Sequence, residues 1–362
     1  MPSRRLSQNT DICDTTREGQ SASPGPLHVI PQGVGEEAIG RSQRSRPSSS
    51  HVDKANAEKS APNQMLKLIP LDRFQQRLPP NLAVTIGVIM ASHNRRLATL
   101  RCIESLAAQE TSMAIDLTIV LVDDASQDGT PNAVRACFPY VHIVGGSGDL
   151  YWGGGMRLAH QALTAVSEPD YLLWLNDDVI LHQDALDALM KTASVQPEAV
   201  VVGVLLDPKS QETSYSGLIR RGRSPLGVFL ADPCTSTQIV DTFNGNVVLI
   251  PRTAYRVLGA IDAAFPHLFG DLDYGYRASK LGIRIVVAPA HVGCCERDNL
   301  TRTWEDPDLS LWQRLKHLHS VKVMSLRPRV EFLKRHGGLE WPLRLVMGYL
   351  KEYGQIMGFV KR

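Results

Sequence analysis

Short apolar runs alternate with amphipathic segments along the middle of the chain. The apolar runs at 83–91, 117–122, 141–144, 172–175 and 200–206 are continuous, as expected of parallel strands covered on both faces. Segments with helical periodicity lie between them, at 97–109, 131–138, 156–166 and 182–192. A strand at 241–250, a helix at 253–258 and a strand at 283–288 continue the series. This alternation predicts an α/β fold with a mostly parallel central sheet and helices on both faces.

The two ends of the chain differ from this main domain, which we place at 83–304. Residues 1–64 are dominated by Pro, Ser, Gly, Arg and Gln, and such a segment buries too little apolar surface to fold. We predict a disordered N-terminal tail there, and a linker at 65–82. Residues 305–362 predict a basic, amphipathic helical extension. Its apolar face either packs on the main domain or lies in a membrane interface, and the sequence leaves both open.

Composition excludes several classes of protein. The net charge of +2 over 362 residues favours no nucleic-acid partner. The six cysteines show neither CxxC pairing nor zinc-ligand spacing, so we expect free thiols. No apolar run approaches the roughly 18–20 residues that span a bilayer. We expect a cytoplasmic protein, with peripheral contact at the inner face of the membrane as an added possibility.

Polar side chains follow three of the predicted strands. They are Ser92, Asn94, Asp123, Asp124, Asn176, Asp177 and Asp178. Ligands of open α/β sheets bind at the carboxyl ends of the strands, so these side chains predict one cleft. Two adjacent carboxylates after a buried strand are costly unless solvent, a metal or a cationic ligand compensates them. The alternative for Asp178 is a helix cap.

A glycine cluster between 145 and 155 precedes the helix at 156–166. Gly153 and Gly154 permit close approach of main-chain N–H groups to a ligand, and Trp152 stands beside them. The cluster follows the third strand, whereas a dinucleotide fingerprint follows the first, and there is no Walker A lysine. Such a cluster is more often a turn, but its aromatic neighbours favour a sugar-nucleotide contact.

The second half of the chain supplies further candidates. Asn244 and Asn246 lie within the strand at 241–250, and His291 follows the last predicted strand. Asp271 and Asp273 open a helical stretch. One of these aspartates is explained as a helix cap or first-turn acid, which leaves the other for chemistry.

Six segments occur in one order between Val84 and His291: VIMASHNR, VLVDDASQDGT, GDLYWGGGMRLA, LWLNDDV, FNGNVVLIPR and FGDLDYGYRASKLG. In this order the chain resembles the family 2 glycosyltransferases of the GT-A fold, most of all their rhamnosyltransferase-type bacterial members. The resemblance implies inverting transfer of a hexose from a dTDP- or UDP-sugar to the hydroxyl of a glycan or lipid-linked acceptor. It also implies a Mg²⁺ or Mn²⁺ cofactor and a place in cell wall or polysaccharide biosynthesis.

The resemblance also implies roles at the donor site. Asp123 or Asp124 matches the acid that binds the nucleobase, with Ser92 and Asn94 close to the same group. In the triplet 176–178, Asp178 matches a metal ligand and Asp177 a metal or ribose ligand. The family more often has Asp where this chain has Asn176, which supplies no charge.

At the acceptor side the resemblance implies a general base. Asp271 matches it, with Asp273 in reserve, although Gly270 stands where the family usually has Glu. His291 matches a further metal ligand found in some relatives. We assign Trp152, Asn244 and Asn246 to the acceptor or sugar pocket.

Two other classes of function fit the sequence less well. A sugar-1-phosphate nucleotidyltransferase needs a glycine-rich phosphate loop directly after the first strand, and SHNR contains no glycine. A non-catalytic sugar-nucleotide or carbohydrate-binding module is expected to lack the acidic residues that are present here.

Overall fold

The computed structural model describes residues 83–233, 237–297, 306, 308–318 and 326–359. The predicted tail at 1–64 and linker at 65–82 lie outside these residues.

The described strands form a large central sheet and a small second sheet. The central sheet contains β1 (Val84–Ser92), β2 (Ile115–Asp123), β3 (His142–Gly145), β4 (Tyr171–Leu175), β5 (Ile180–Leu181), β6 (Val200–Leu206), β7 (Thr213–Tyr215), β10 (Gln238–Val240), β12 (Val247–Pro251) and β13 (Ile285–Cys294). The second sheet contains β8 (Gly217–Arg220), β9 (Val228–Leu230) and β11 (Thr242–Phe243).

The strand order of the central sheet is β10-β13-β6-β12-β4-β1-β2-β3. In addition, β5 pairs with β13, and β7 pairs with β6. β1 runs parallel to β2 and β4, β2 to β3, and β6 to β13. β12 enters antiparallel between β4 and β6. The carboxyl ends of β1, β2 and β4 therefore meet at one edge, and Ser92 lies opposite Asp123 in the ladder.

Helices cover both faces of this sheet, as predicted. They are α1 (Arg96–Ala107), α2 (Thr130–Cys137), α3 (Tyr151–Val166), α4 (Ala185–Val195), α5 (Arg252–Leu258), α6 (Gly270–Lys280), α7 (Leu311–Leu318), α8 (Leu326–His336) and α9 (Trp341–Ile356). One core contains Ile103 of α1 and Leu189 of α4. The other contains Leu163 of α3, Leu258 of α5 and Tyr274 of α6. The α/β fold class is confirmed.

Three elements differ most clearly from the sequence prediction. α3 begins at Tyr151 and not at 156, because the carboxylate of Asp124 accepts the first N–H groups of the helix. The single strand expected at 241–250 is divided between the two sheets, as β11 and β12. The last strand runs on to Cys294, past Pro289, and its end pairs with β5.

The C-terminal helices pack on the main domain. Phe332 of α8 is fully buried, and its ring stacks on Phe269 at a centroid distance of 4.9 Å. Arg329 of α8 donates two hydrogen bonds to Glu352 of α9, at 2.8 and 3.0 Å. The packing predicted as one alternative for the extension is therefore present.

Within the described ranges, none of the helices combines the length and the apolar character needed to span a bilayer.

Candidate active site

The first part of the site lies where β1 and β2 end. Ser92 is buried, and its Oγ lies 2.8 Å from Oγ1 of Thr99. Asp123 is also buried, and its Oδ2 accepts the N–H of Ser126 at 3.2 Å. Among the described residues, no hydrogen-bond donor reaches Oδ1 of Asp123. A buried carboxylate oxygen without a donor is costly, so this atom is suited to an N–H group of a ligand.

Asp124, the alternative to Asp123, uses its carboxylate within the fold. Its oxygens accept the N–H groups of Gly148, Leu150 and Tyr151 at 2.6, 2.9 and 3.2 Å. These bonds hold the loop between β3 and α3. A Cβ on Gly146 would lie 2.5 Å from Oδ1 of Asp124, so the loop requires glycine there. The sequence did not decide which of the two aspartates binds a ligand. Among the described residues, only Asp123 of the pair has a carboxylate oxygen without a hydrogen-bond donor.

Asn94 connects the loops that follow β1 and β2. Its backbone N–H donates to Oγ of Ser126 at 2.9 Å, and its side-chain Oδ1 accepts the N–H of Gln127 at 2.7 Å. Asn94 has a φ of 54°, a left-handed conformation that asparagine tolerates better than most residues. It therefore shapes the exposed rim of the cleft next to Asp123.

The acidic pair lies after β4 and is bridged by Arg95. Nη1 of Arg95 lies 2.9 Å from Oδ1 of Asp177 and 2.9 Å from Oδ2 of Asp178. Burial raises the pKa of Asp177, although Arg95 acts in the opposite direction. Partial burial would lower the pKa of Arg95, but the two carboxylates raise it above its ordinary value. Arg95 had no role in the sequence prediction, and its position in SHNR after the first strand was the available signal.

The acidic pair fits a divalent cation in its donor chemistry. Oδ1 of Asp178 is buried and meets no hydrogen-bond donor in the described part of the chain. Carboxylate oxygens are the ligands that Mg²⁺ and Mn²⁺ prefer. Among the residues the structure describes, no three His, Cys, Asp or Glu side chains are grouped to hold a metal. The pair therefore fits an ion whose remaining ligands come from a diphosphate or from water.

The structure does not bring His291 into such a group. Its Nε2 lies 3.3 Å from Oγ1 of Thr213, and its carbonyl oxygen lies 3.1 Å from Nδ1 of His182. Burial, together with the neighbouring His182, lowers its pKa. His291 belongs to β13 and its surroundings, and the prediction that it binds a metal receives no support.

Trp152 joins the acidic motif to the second half of the site. Its Nε1–H donates to Oδ1 of Asn176 at 2.7 Å, and the N–H of Asn176 donates to the carbonyl oxygen of Asn246 at 2.9 Å. A Cβ on Gly245 would lie 2.6 Å from Cζ2 and Cη2 of Trp152, so the ring lies directly against the backbone. The uncharged Asn176 thus positions the indole.

Asp271 also lies beside Gly245, in the first turn of α6. Its Oδ2 accepts the N–H of Gly245 at 3.1 Å, and its Oδ1 accepts the N–H of Leu272 at 2.8 Å. Burial raises the pKa of Asp271 above its ordinary value. A carboxylate with a raised pKa, oriented by two backbone donors, is a candidate general base.

Asp273, the reserve base in the sequence prediction, has a different function. Its side chain is fully buried, and its Oδ2 lies 2.8 Å from Nε of Arg277. Its Oδ1 lies 2.9 Å from Nε2 of His336 and 3.4 Å from Nη1 of Arg335, both on α8. Burial would raise the pKa of Asp273, but hydrogen bonds from His336 and Arg277 lower it. Asp273 therefore ties α6 to α8, and these contacts give no support to its prediction as a base.

Gly153 and Gly154 pack α3 against a loop. The N–H of Gly153 donates to the carbonyl oxygen of Pro266 at 2.8 Å, and that of Gly154 lies 3.1 Å from the carbonyl oxygen of Leu150. A Cβ on Gly153 would lie 2.2 Å from the carbonyl oxygen of Phe265. Because both N–H groups are used within the protein, the predicted contact of these glycines with a donor receives no support.

The two asparagines assigned to the pocket differ in position. Asn246 is buried, and its side-chain Nδ2 faces Sγ of Cys295 at 4.0 Å. Asn244 is half-buried beside Gly245, and its backbone N–H donates to the carbonyl oxygen of Ser216 at 3.1 Å. Asn246 contributes its carbonyl oxygen to hold Asn176, so its role is within the fold.

Comparison with known families agrees with this geometry. Residues 87–259 match the sequence model of the family described as Glycosyl transferase family 2. These residues form a family 2 glycosyltransferase domain. The match contains the acidic pair, Trp152 and Gly245, whereas Asp271 lies beyond it. The assignment of Asp271 therefore depends on the contacts described above.

The family 2 domain is similar to curated transferases. Two strains of Mycobacterium tuberculosis, CDC 1551 / Oshkosh and ATCC 25618 / H37Rv, have an N-acetylglucosaminyl-diphospho-decaprenol L-rhamnosyltransferase that is 27% identical over 209 residues. The similarity covers 51% of this chain and 68% of each relative. The chain is thus a glycosyltransferase with a rhamnosyltransferase relative at modest identity.

Two solved structures are also similar to this chain. One is the mannosyltransferase PcManGT from Pyrobaculum calidifontis in complex with GDP-Man and Mn²⁺, at 16% identity and a TM-score of 0.44, covering 80% of this chain and 81% of that one. The other is S. aureus TarS 1-349, at 13% identity and a TM-score of 0.45, covering 76% and 80%. These low scores assign no ligand to the present chain.

Proposed function

We propose that this chain is an inverting, metal-dependent glycosyltransferase that moves a hexose from a nucleoside-diphosphate donor to an acceptor hydroxyl. The observation that carries the proposal is the connection between Asp271 and the acidic pair. Asp271 contacts Gly245, Gly245 lies against Trp152, and Trp152 is bonded to Asn176, which precedes Asp177. A candidate base and a candidate cation site thus belong to one set of contacts.

Asp271 is the proposed general base. A single displacement with inversion needs a base that takes the acceptor proton on the face opposite the leaving group, and such a base contributes on the order of 10²–10⁴-fold. Because Gly245 and Leu272 donate to its two oxygens, the carboxylate is held in one orientation. Its raised pKa brings its proton affinity closer to neutral pH, which favours proton transfer.

Asp123 is the proposed nucleobase ligand. Its Oδ1 is buried and available, and a uracil or thymine ring offers an imide N–H that such an oxygen accepts. This favours UDP- or dTDP-sugars. The M. tuberculosis relatives are rhamnosyltransferases that act on a diphospho-decaprenol-linked sugar. We therefore favour dTDP-rhamnose as donor and a lipid-linked glycan as acceptor.

Asp177 and Asp178 would hold the divalent ion. When bound, such an ion supplies positive charge that stabilises the negative charge developing on the leaving diphosphate. Arg95 compensates both carboxylates at 2.9 Å, so the ion would compete with it for the acidic pair.

The test is a thermal stability panel with UDP, dTDP, GDP and ADP, each with and without Mn²⁺. A ligand bound only by the native state raises its melting temperature by mass action. We expect a metal-dependent rise with one nucleotide, its loss in Asp178→Ala, and its retention in Asp116→Ala, which removes an exposed carboxylate from the start of β2. Absence of any rise in folded protein would contradict the proposal and favour a carbohydrate-binding module.

A second measurement decides the reaction. The nucleotide-sugar identified in the panel is incubated with an acceptor, and the anomeric configuration of the product is followed by NMR. Inversion supports the single displacement with Asp271 as base, whereas retention would overturn it. Release of pyrophosphate from a nucleoside triphosphate and a sugar-1-phosphate would instead identify a nucleotidyltransferase.

A further inference from the structure

Helix α9 is apolar on two opposite faces. One face carries Leu345, Tyr349 and Ile356, which pack on the neighbouring hydrophobic clusters. The other face consists of Leu343, Val346, Met347, Leu350 and Met357, which we call the exposed stripe. Its five side chains are between 51% and 63% exposed. Soluble helices normally present polar residues on the face away from the core, so the exposed stripe calls for a partner.

The helical geometry separates the two faces. Successive residues of an α-helix are rotated by about 100°, so positions 345, 349 and 356 fall together. Positions 343, 347 and 350 fall on the opposite side. The packed face therefore fixes α9 to the domain while the exposed stripe points outward. Leu339 before the helix and Phe359 after it are also exposed, at 101% and 81%.

Charge indicates which partner fits. The described residues 308–318 and 326–359 contain eight Lys and Arg and four Asp and Glu, a net charge of +4, whereas the whole chain carries +2. Lys351 lies at one edge of the exposed stripe, beside Arg344, which pairs with Glu340. Lys316 and Lys334 are exposed on α7 and α8. Basic residues beside outward apolar side chains match the surface of an anionic bilayer. A two-fold contact with a second copy would instead bring these like charges together.

We propose that the exposed stripe of α9 binds the surface of an anionic lipid bilayer, with the helix lying along the membrane and its packed face holding the domain. The apolar side chains enter the interface, and Lys351 contacts lipid phosphates. Trp312 of α7, which is 81% exposed, adds an aromatic side chain of the kind found at membrane interfaces. The contact is peripheral and does not rest on the proposed reaction.

The test is co-sedimentation of the full chain with vesicles. One set of vesicles contains phosphatidylcholine alone, and the other contains phosphatidylcholine and phosphatidylglycerol in equal parts. The test variant is Leu343→Gln/Met347→Gln/Leu350→Gln, and the control is Val166→Gln/Val195→Gln/Val257→Gln, which removes three exposed apolar side chains from α3, α4 and α5. Melting temperatures and light-scattering masses of all proteins are measured in parallel.

We expect the wild type and the control to bind the anionic vesicles, with weaker binding at high salt. The stripe variant is expected to bind at least about tenfold more weakly, because three partly exposed apolar side chains no longer enter the interface. Lys351→Gln is expected to weaken binding about fivefold. Equal binding of the stripe variant and the control would overturn the proposal. So would absence of vesicle binding by the wild type, or a wild-type dimer that the stripe variant loses.

Discussion

Replacement of Asp273 and Asp271 by asparagine, one at a time, is expected to give opposite phenotypes. Asp273→Asn removes a fully buried negative charge from Arg277, Arg335 and His336. Removal of one partner from a buried ion pair costs about 3–5 kcal/mol. Because the two arginine side chains are 26% and 28% exposed and regain water, we expect a smaller cost of about 2–3 kcal/mol.

That loss corresponds to a melting temperature lower by roughly 5–10 °C for a domain of this size. The turnover of the folded fraction should change little, since Asp273 touches no proposed ligand. Asp262→Asn is the matched control, because Asp262 binds the same Arg335 at 2.9 Å but is 37% exposed. An exposed pair contributes about 0–1 kcal/mol, so this variant should melt within a few degrees of the wild type.

Asp271→Asn removes the proposed base and keeps most of its surroundings. The amide oxygen still accepts one backbone N–H, from Leu272 or Gly245, so stability should fall by only about 1 kcal/mol. Turnover should fall by about 10²–10⁴-fold. Calorimetry and initial rates of nucleotide release, normalised to folded protein, measure both effects. If Asp273→Asn kept its melting temperature and lost turnover to the same extent, the tie between α6 and α8 would be the wrong explanation of Asp273.

Three further outcomes are expected. Arg95→Gln should tighten the binding of Mn²⁺ in the absence of nucleotide by roughly fivefold, as measured by calorimetry. The reason is that the variant removes a cation whose competition for the acidic pair costs about 1 kcal/mol of binding free energy. Unchanged affinity would show that Arg95 does not compete. Gly245→Ala should lower turnover at least about tenfold, because the new Cβ would lie 2.6 Å from Trp152. Gly145→Ala is the control and should leave turnover unchanged, because there is open space around Gly145. The reaction rate should fall as the pH drops through the raised pKa of Asp271, since the base must be unprotonated. A rate that stays constant down to about pH 4 would contradict this assignment.

The sheet and the general position of the site were predictable from sequence. Continuous apolar runs followed by polar residues place Ser92 beside Asp123, because parallel strands end at the same edge. The direction of β12 was not predictable, since a strand has the same period of two in either direction. Nor was the division of 241–250 between two sheets, which depends on pairing of β11 with β8.

The division of tasks between neighbouring aspartates depends on distant contacts. Asp123 and Asp124 are equivalent in the sequence pattern, and only the position of the loop after β3 gives Asp124 three backbone donors. Asp271 and Asp273 lie two residues apart, and the partners of Asp273 on α8 follow more than sixty residues later. Local patterns therefore predict that an acidic residue has a role, but they do not predict whether that role is in ligand binding, in chemistry or in the fold.

The buried tie between Asp273 and α8 has a consequence for how such chains can be recombined. The helix that begins beside the candidate base is completed by Arg335 and His336, which come from the far end of the chain. A hybrid that joins the domain of one relative to the C-terminal helices of another must keep both the aspartate on α6 and its partners on α8. We expect hybrids matched at these positions to fold, and mismatched hybrids to carry a buried aspartate without its partners on α8.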